Sequence, residues 1–230
     1  MNIDFGVFEK KTNLKFSNKE LLKRAFTHRS FINENKGQGE HNERLEFLGD
    51  AVLELVITDY LFHKYPDSTE GELTLYRAAL VNTQSLSQVA LDLSMNEYLL
   101  LSKGEAKDTG KAREHILANT VESLIGAIYL DSGYDDARDF IVTNISHYID
   151  EIVEKGTWID SKSKFQEKAQ EATGITPMYK TVRETGPDHD KKFTVGVYLN
   201  NEKVAEGNGN SKQSAEQDAA LNGLVRKGWD

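Results

Sequence analysis

Cysteine is absent from the 230 residues, which removes disulfides, thiolate metal sites and cysteine nucleophiles from consideration. A reducing compartment fits that absence. Long apolar runs are missing too. The stretch around Leu124 to Leu130 falls far short of the roughly 20 residues a membrane-spanning helix needs, so no membrane association is expected. The first ten residues hold neither a basic leader nor an apolar core, and neither a secretory signal nor a transit peptide is expected. A soluble, cytoplasmic chain follows as the expectation. Positive charge is also scarce: the formal net charge is −9, which by itself weighs against a polyanionic partner. The deficit is unevenly placed. Basic and acidic side chains are equal in number from Asp160 onward, so the whole excess lies before that residue. An acidic first half calls for cations.

The length favours two modest domains over one large one, and the hydrophobic periods divide the chain the same way. Up to about residue 155 the apolar residues recur at helical spacing with little strand-like alternation, which reads as all α. Ser17 and Glu20 have capping-box spacing ahead of a helix expected to run to about Phe31, and Gly37 and Gly39 mark the loop after it. A long helix should start near His41 and stop before Pro66. Further helices are expected over Thr69 to Val81, Gln84 to Leu93, Arg113 to Leu130 and Asp135 to Val153. The segment SKGEAKDTGKA, from Ser102, is polar and expected to be mobile.

After Trp158 the pattern becomes helix, three strands, helix. Phe165, Ala169 and Ala172 mark one buried face of a helix that Gly174 ends. Phe193, Val195, Val197 and Leu199 alternate with Thr194, Gly196 and Tyr198, the period of a half-buried strand. Asn200 opens a turn. Ser211 is a good N-cap for a last helix whose Ala215, Ala219 and Leu224 can lie on the sheet. The linker falls at about Lys155 to Asp160.

HNERLEFLGDAVLEL, from His41, carries most of the chemical information in the first half. Glu43, Glu46 and Asp50 are spaced i, i+3, i+7 and project within roughly 60° of one another on a helix, while Leu45, Leu48, Val52 and Val56 point to the core. Carboxylates so spaced repel, and a divalent cation would remove that cost. The plainer alternative is a solvated helix face. Against it stands a second apolar segment, HILANTVESLIGAIYL, which carries Asn119 and Glu122 at i and i+3 among residues that must be buried. Polar groups so near a core need partners, and a hard cation with oxygen ligands supplies them. Oxygen-only donors, with no cysteine and no histidine pair at ligand spacing, favour Mg²⁺ or Mn²⁺ over zinc. Such a site suits phosphodiester hydrolysis. Glu54 reads as ordinary surface. Glu70 sits beside Thr69 and Glu72, which can form a capping box, so its local role is helix-dipole complementarity.

NERLEFLGDAVLEL, from Asn42, resembles the signature helix of the ribonuclease III family. FTHRS from Phe26, EGELTLYRAALVN from Glu70 and ILANTVESLIGAIYLDSGY from Ile116 follow in that family's order, and the resemblance covers nearly the whole chain. It implies a homodimeric all-α endonuclease domain. Such a domain cleaves double-stranded RNA to 5′ phosphate and 3′ hydroxyl ends with short 3′ overhangs, as in rRNA precursor processing and mRNA decay. Glu46, Asp50 and Glu122 match the family's metal-binding carboxylates, Glu43 and Glu70 match acidic positions associated with its active site, and Phe47 matches an aromatic that packs into the partner subunit. A core position is the alternative for Phe47. Asn119 departs from the pattern, because an acid usually stands there. An amide oxygen still ligates Mg²⁺ but brings no negative charge, so weaker metal binding or slower cleavage is expected. A catalytically weak or silent double-stranded RNA-binding protein is the alternative that Asn119 motivates.

The second half resembles a double-stranded RNA-binding domain through SKFQEKAQ from Ser163, GPDHDKKFTVGVYL from Gly186 and GNGNSKQSAEQDAA from Gly207. In that family the first helix and the first hairpin loop enter successive minor grooves, and the last helix meets phosphates across the major groove. Gln166, Glu167, Pro187 and His189 are the matched minor-groove residues, and Lys212 is the matched phosphate contact. Independently, Ser211 and Lys212 open a helix whose N-terminus presents free N–H groups to an anion. The residue after Lys212 is usually basic and here is Gln213, so modest RNA affinity with a shallow salt dependence is expected. The expected architecture is multi-domain: an all-α endonuclease domain over 1–154, a linker over 155–160, and an α+β domain of α-β-β-β-α order over 161–230.

Overall fold

In the computed structural model, which describes residues 3–154, 161–187 and 191–229, the chain divides into two compact units, Met1–Trp158 and Ile159–Asp230. The first is helical. α1 (Phe5–Thr12), absent from the sequence expectations, brings Phe8 against Phe26 and Tyr98 at ring distances of 4.9 and 5.1 Å. α2 (Lys19–Ala25) is capped by the Asn18 side chain, which accepts from the Glu20 N–H, so the cap is one residue later than the Ser17 and Glu20 spacing predicts.

The helix expected to reach Phe31 is broken instead. Backbone pairing at Phe26–His28 is diverted sideways: Leu100 N–H donates to the Phe26 carbonyl, His28 N–H to the Leu100 carbonyl, and Asn42 N–H to the Thr27 carbonyl. A new helix, α3 (Arg29–Glu34), then starts with His28 as its cap. Buried backbone groups must be paired, and here three separate segments pair them.

α4 (Glu43–Lys64) and α7 (Lys111–Ser132) form the centre of this unit, with α5 (Glu70–Val81) and α6 (Thr83–Asp92) preceding α7 in the chain. Thr69 and Glu72 form the expected capping box on α5. Leu45, Val52 and Val56 of α4 are buried beside Leu117, Val121, Leu124 and Ile128 of α7. The polar segment from Ser102 is tied down: Arg113 Nη2 donates to the carbonyls of Glu105 and Asp108, and Lys103 N–H donates to Glu34. The last helix of the unit also differs from one continuous rod. α8 (Tyr134–Ile141) passes through a π-helical turn, Val142–Ser146, into α9 (Tyr148–Glu154). Within that turn Asn144 and Ser146 each donate to a carbonyl four residues back, a bond that bends helices. The wider turn leaves both Ile145 and Ile149 fully buried.

In the second unit α10 (Ser161–Thr173) is followed by β1 (Met178–Thr185), β2 (Lys192–Leu199), β3 (Glu202–Gly209) and α11 (Lys212–Lys227). The strands form one antiparallel sheet in the order β1-β2-β3. Phe165, Ala169, Val197, Leu199, Val204, Ala219 and Leu224 make its core. Ala172, expected on that face, is exposed. Among the described residues no helix is long and apolar enough to cross a membrane.

The crossing of α4 and α7 is set by two glycines. A Cβ on Gly49 would lie 1.7 Å from the Glu122 carbonyl oxygen, and one on Gly126 would lie 2.2 Å from that of Leu45. Those oxygens belong to helix backbone and have no room to move aside. Gly126→Ala should therefore lower stability by about 1–3 kcal/mol, although alanine is the better helix former by roughly 1 kcal/mol. Urea denaturation measures this, and a midpoint equal to or above the parent's would contradict the close crossing.

Candidate active site

The same crossing brings the acidic positions of α4 opposite those of α7. Gly49 lies between Glu46 and Asp50, and its missing side chain faces the Glu122 carbonyl. One polar bond spans the two helices at this level: Asn119 Nδ2 donates to Glu46 Oε1 at 3.0 Å. Burial raises the Glu46 carboxyl above its ordinary range, nearby Glu43 and Asp50 push it the same way, and the Asn119 bond opposes them. Glu122 is affected more strongly. Burial first, then the charges of Asp50, Glu46 and Glu54, push it up to about 7.

Glu54 is thus more than the ordinary surface group expected. It ion-pairs with Arg77 at 2.8 Å and contributes to the field at Glu122.

Glu43 opens α4, ion-pairs with Arg29 at 3.3 Å and lies 3.8 Å from His41 Nδ1. The His41 Nδ1 atom is buried and makes no hydrogen bond. His28, Arg29, Asn42, Glu43, Glu46, Glu105, Ile116 and Asn119 line a cleft of about 430 Å3. Burial lowers the His28 pKa and keeps that imidazole neutral, with Nδ1 against Ser30 Oγ at 2.8 Å. Asn42 anchors the site from behind. Its side chain donates to the Ala25 carbonyl, and its own carbonyl accepts from Ser123 of α7.

The donor set suits a hard divalent cation. It consists of carboxylates, two of which, Glu46 and Glu122, have their pKa raised by burial and by neighbouring acids, and one amide oxygen, without sulfur. Glu46, Asp50 and Glu122 act on one another electrostatically, yet among the described residues no three His, Asp or Glu side chains are already gathered around one point.

Glu70 is exposed at the start of α5 and is not one of the groups acting on Glu46 or Glu122. Phe47 is 81% exposed, which excludes a core role within the chain. In the second unit Gln166, Glu167 and Pro187 are exposed, while His189 lies outside the described residues. Ser211 caps α11 by accepting from Ser214 N–H, and Lys212 follows as its first residue. Sequence reasoning missed Gly49, Gly126 and Asn42. Glycine inside a helical pattern is a sign of close packing, and it was available at two of these three.

The raised Glu122 pKa has a stability consequence. A carboxyl with a higher pKa folded than unfolded binds more protons in the native state, so stability is lost as pH rises from about 4.5 towards 7. In EDTA, Glu122→Gln should be more stable than the parent at pH 8, on the order of 1–2 kcal/mol after allowance for solvent screening. The gap should close by pH 4.5. A gap independent of pH in denaturant titrations would refute this.

A family model described as ribonuclease-III-like matches residues 18–149, and the double-stranded RNA binding motif matches residues 161–225. Ribonuclease 3 of Borreliella burgdorferi is 43% identical over 93% of this chain and 87% of its own length. Ribonuclease 3 of Leptospira interrogans is 46% identical over 95% of this chain and 89% of its own. Among solved structures, the nuclease domain of ribonuclease III from Campylobacter jejuni, described for flexibility in a region involved in dimer formation, superposes with a TM-score of 0.57. It is 40% identical and covers 63% of this chain and 97% of its own. The nuclease half, the duplex-binding half and their order are all matched, and the chain belongs to the ribonuclease III family.

Proposed function

We propose that the chain is a double-strand-specific endoribonuclease whose Glu46, Asp50, Asn119 and Glu122 hold Mg²⁺, with Mn²⁺ able to substitute. The family is metal-dependent. The observation that carries the reading is the meeting of Glu46 and Asp50 of α4 with Asn119 and Glu122 of α7, where partial burial and neighbouring carboxylates raise the pKa of Glu46 and of Glu122. Removing that repulsion is what a divalent cation does. When bound, the ion lowers the pKa of water and offsets charge on the phosphate's non-bridging oxygens.

The protein's own groups have distinct tasks. Glu122 is poised near neutrality, so its ionisation is coupled to the charge at the site. Asn119 steadies Glu46 without adding charge. Glu43, paired with Arg29 and close to His41, borders the cleft that a strand would enter. Glu70 is assigned to the active-site surroundings on the family pattern. The products are fragments with 5′ phosphate and 3′ hydroxyl ends and short 3′ overhangs, and rRNA precursors and mRNA are the expected substrates.

Two active sites across one duplex require a homodimer. Phe47 shares an exposed face of α4 with Ala51, Leu55 and Phe62, and so large an apolar stripe is expected to be covered by a second copy. Residues 1–154 form the endonuclease domain, 155–160 the linker and 161–230 the duplex-binding domain. In the latter, Gln166, Glu167, Pro187 and His189 face minor grooves, and Ser211 and Lys212 face a phosphate. The cytoplasm is the proposed location.

Incubating a long RNA duplex with the protein across a Mg²⁺ series tests the reading. Short products should form with Mg²⁺ and vanish with EDTA, and Glu122→Gln should reduce cleavage at least 100-fold while leaving duplex binding intact. A duplex that is bound but uncut at every Mg²⁺ concentration would instead identify a silent binding protein. Asn119→Asp should shift the half-activating Mg²⁺ concentration downwards, because a fourth negative charge strengthens the cation's hold; identical titrations would rule that out. Phe47→Asp should convert dimer to monomer in sedimentation, and an unchanged dimer would remove Phe47 from the interface.

A further inference from the structure

Lys212 does not extend freely into solvent. Its ammonium lies 3.1 Å from Glu184 Oε1 and 5.7 Å above the centre of the Phe193 ring. Glu184 of β1 and Phe193 of β2 are directly opposite each other across the sheet. Together they make a seat with a carboxylate on one side and an aromatic face on the other, both of which attract an ammonium. The pairing of β1 with β2 shifts by one residue between Thr181 and Arg183. Side chains alternate faces along a strand, so such a shift decides which face Glu184 occupies. Here it joins the side on which α11 begins. The first turn of α11 holds no acid of its own, a lysine at that end opposes the helix dipole, and Glu184 offsets its charge from β1.

We propose that Glu184 is a restraining residue for duplex RNA binding, holding Lys212 in a carboxylate-aromatic seat and opposing the phosphate that Lys212 must meet. This rests on the assignment of the second unit as the RNA-gripping one. A phosphate arriving at the start of α11 competes with Glu184 for the ammonium and meets its negative charge at short range. Gln213, next in the chain, carries no charge to compensate. The pair is partly exposed, with side-chain exposures of 58% for Lys212 and 38% for Glu184, so the restraint is moderate in size.

The test uses the full chain in EDTA and an RNA duplex of about 20 base pairs, longer than the ~16 such a domain spans. Glu184→Gln, which keeps shape and removes charge, should bind about two- to fivefold more tightly than the parent at low salt. Its dependence of log affinity on log salt should be steeper, by up to about 0.9. Lys212→Gln should weaken binding, and adding Glu184→Gln to it should tighten binding by less than it does in the parent, because only the direct repulsion of the phosphate is then left to relieve. If Glu184→Gln binds equally or more weakly while Lys212→Gln still weakens binding, the restraint is overturned and the RNA-binding assignment stands. If Lys212→Gln leaves binding unchanged, the phosphate contact itself is wrong and the restraint falls with it. Thermal denaturation of each variant shows whether the fold is retained, and Glu184→Ala provides the same charge removal by a second route.

Discussion

The close crossing of α4 and α7 at Gly49 and Gly126 is the constraint on which the catalytic half rests. Side chains on two helices meet across a short gap only when the axes approach, and helix separation is set by the residues at the contact. With glycine at both crossing points, the backbone of one helix lies against that of the other. Glu46 can then take a direct bond from Asn119, and Glu122 comes within electrostatic range of Asp50. A crossing widened by one side chain would keep the fold's core and still separate the donors.

That crossing concentrates negative charge where solvent cannot fully screen it. Burial and like charge both push Glu122 upward, so the site is held in a state that a proton or a cation relieves. The rest of the unit supports this placement. Asn42 ties the start of α4 to the chain segment before α3, and Arg77 partly offsets Glu54. At Asn119 the chain has an amide beside the carboxylates. The amide donates to Glu46, offsetting part of the repulsion from Glu43 and Asp50, and adds no charge of its own. Under the proposed function, stability of the free protein and affinity for a cation therefore pull in opposite directions at this one residue.

What could be read in the sequence follows from how local each feature is. The carboxylate stripe on α4 and the capping box at Thr69 and Glu72 are set by neighbours a few residues apart, and the structure has them where spacing put them. The alternation expected along β2 is only partly kept: Phe193 is half-buried, and Gly196, on the other face, is buried against the Tyr198 ring. The break at Phe26–His28 was not legible, because it depends on hydrogen bonds to Leu100 and Asn42 that no local pattern encodes. α1 is short, and its apolar residues gain meaning only beside Phe26 and Tyr98. The π-turn likewise answers to the packing of Ile145 and Ile149 more than to propensity. Spacing along α4 and along α7 was enough to nominate Glu46, Asp50, Asn119 and Glu122. That the two sets face each other is a property of the glycine contact, which periodicity does not express.

An acidic protein that grips a polyanion must resolve an electrostatic conflict, and here it is divided between the two halves. The nuclease half carries the excess negative charge, and under the proposed function a cation between carboxylate and phosphate would make that charge favourable to RNA. The second half is close to neutral and has little Coulombic attraction to offer, so its hold on RNA must come from contacts fitted to duplex shape. Glu184 restrains even the lysine at the start of α11. A domain built this way discriminates more by geometry than by charge: a ligand that supplies phosphates without A-form spacing gains little from it, and one that fits both grooves loses little to the restraint.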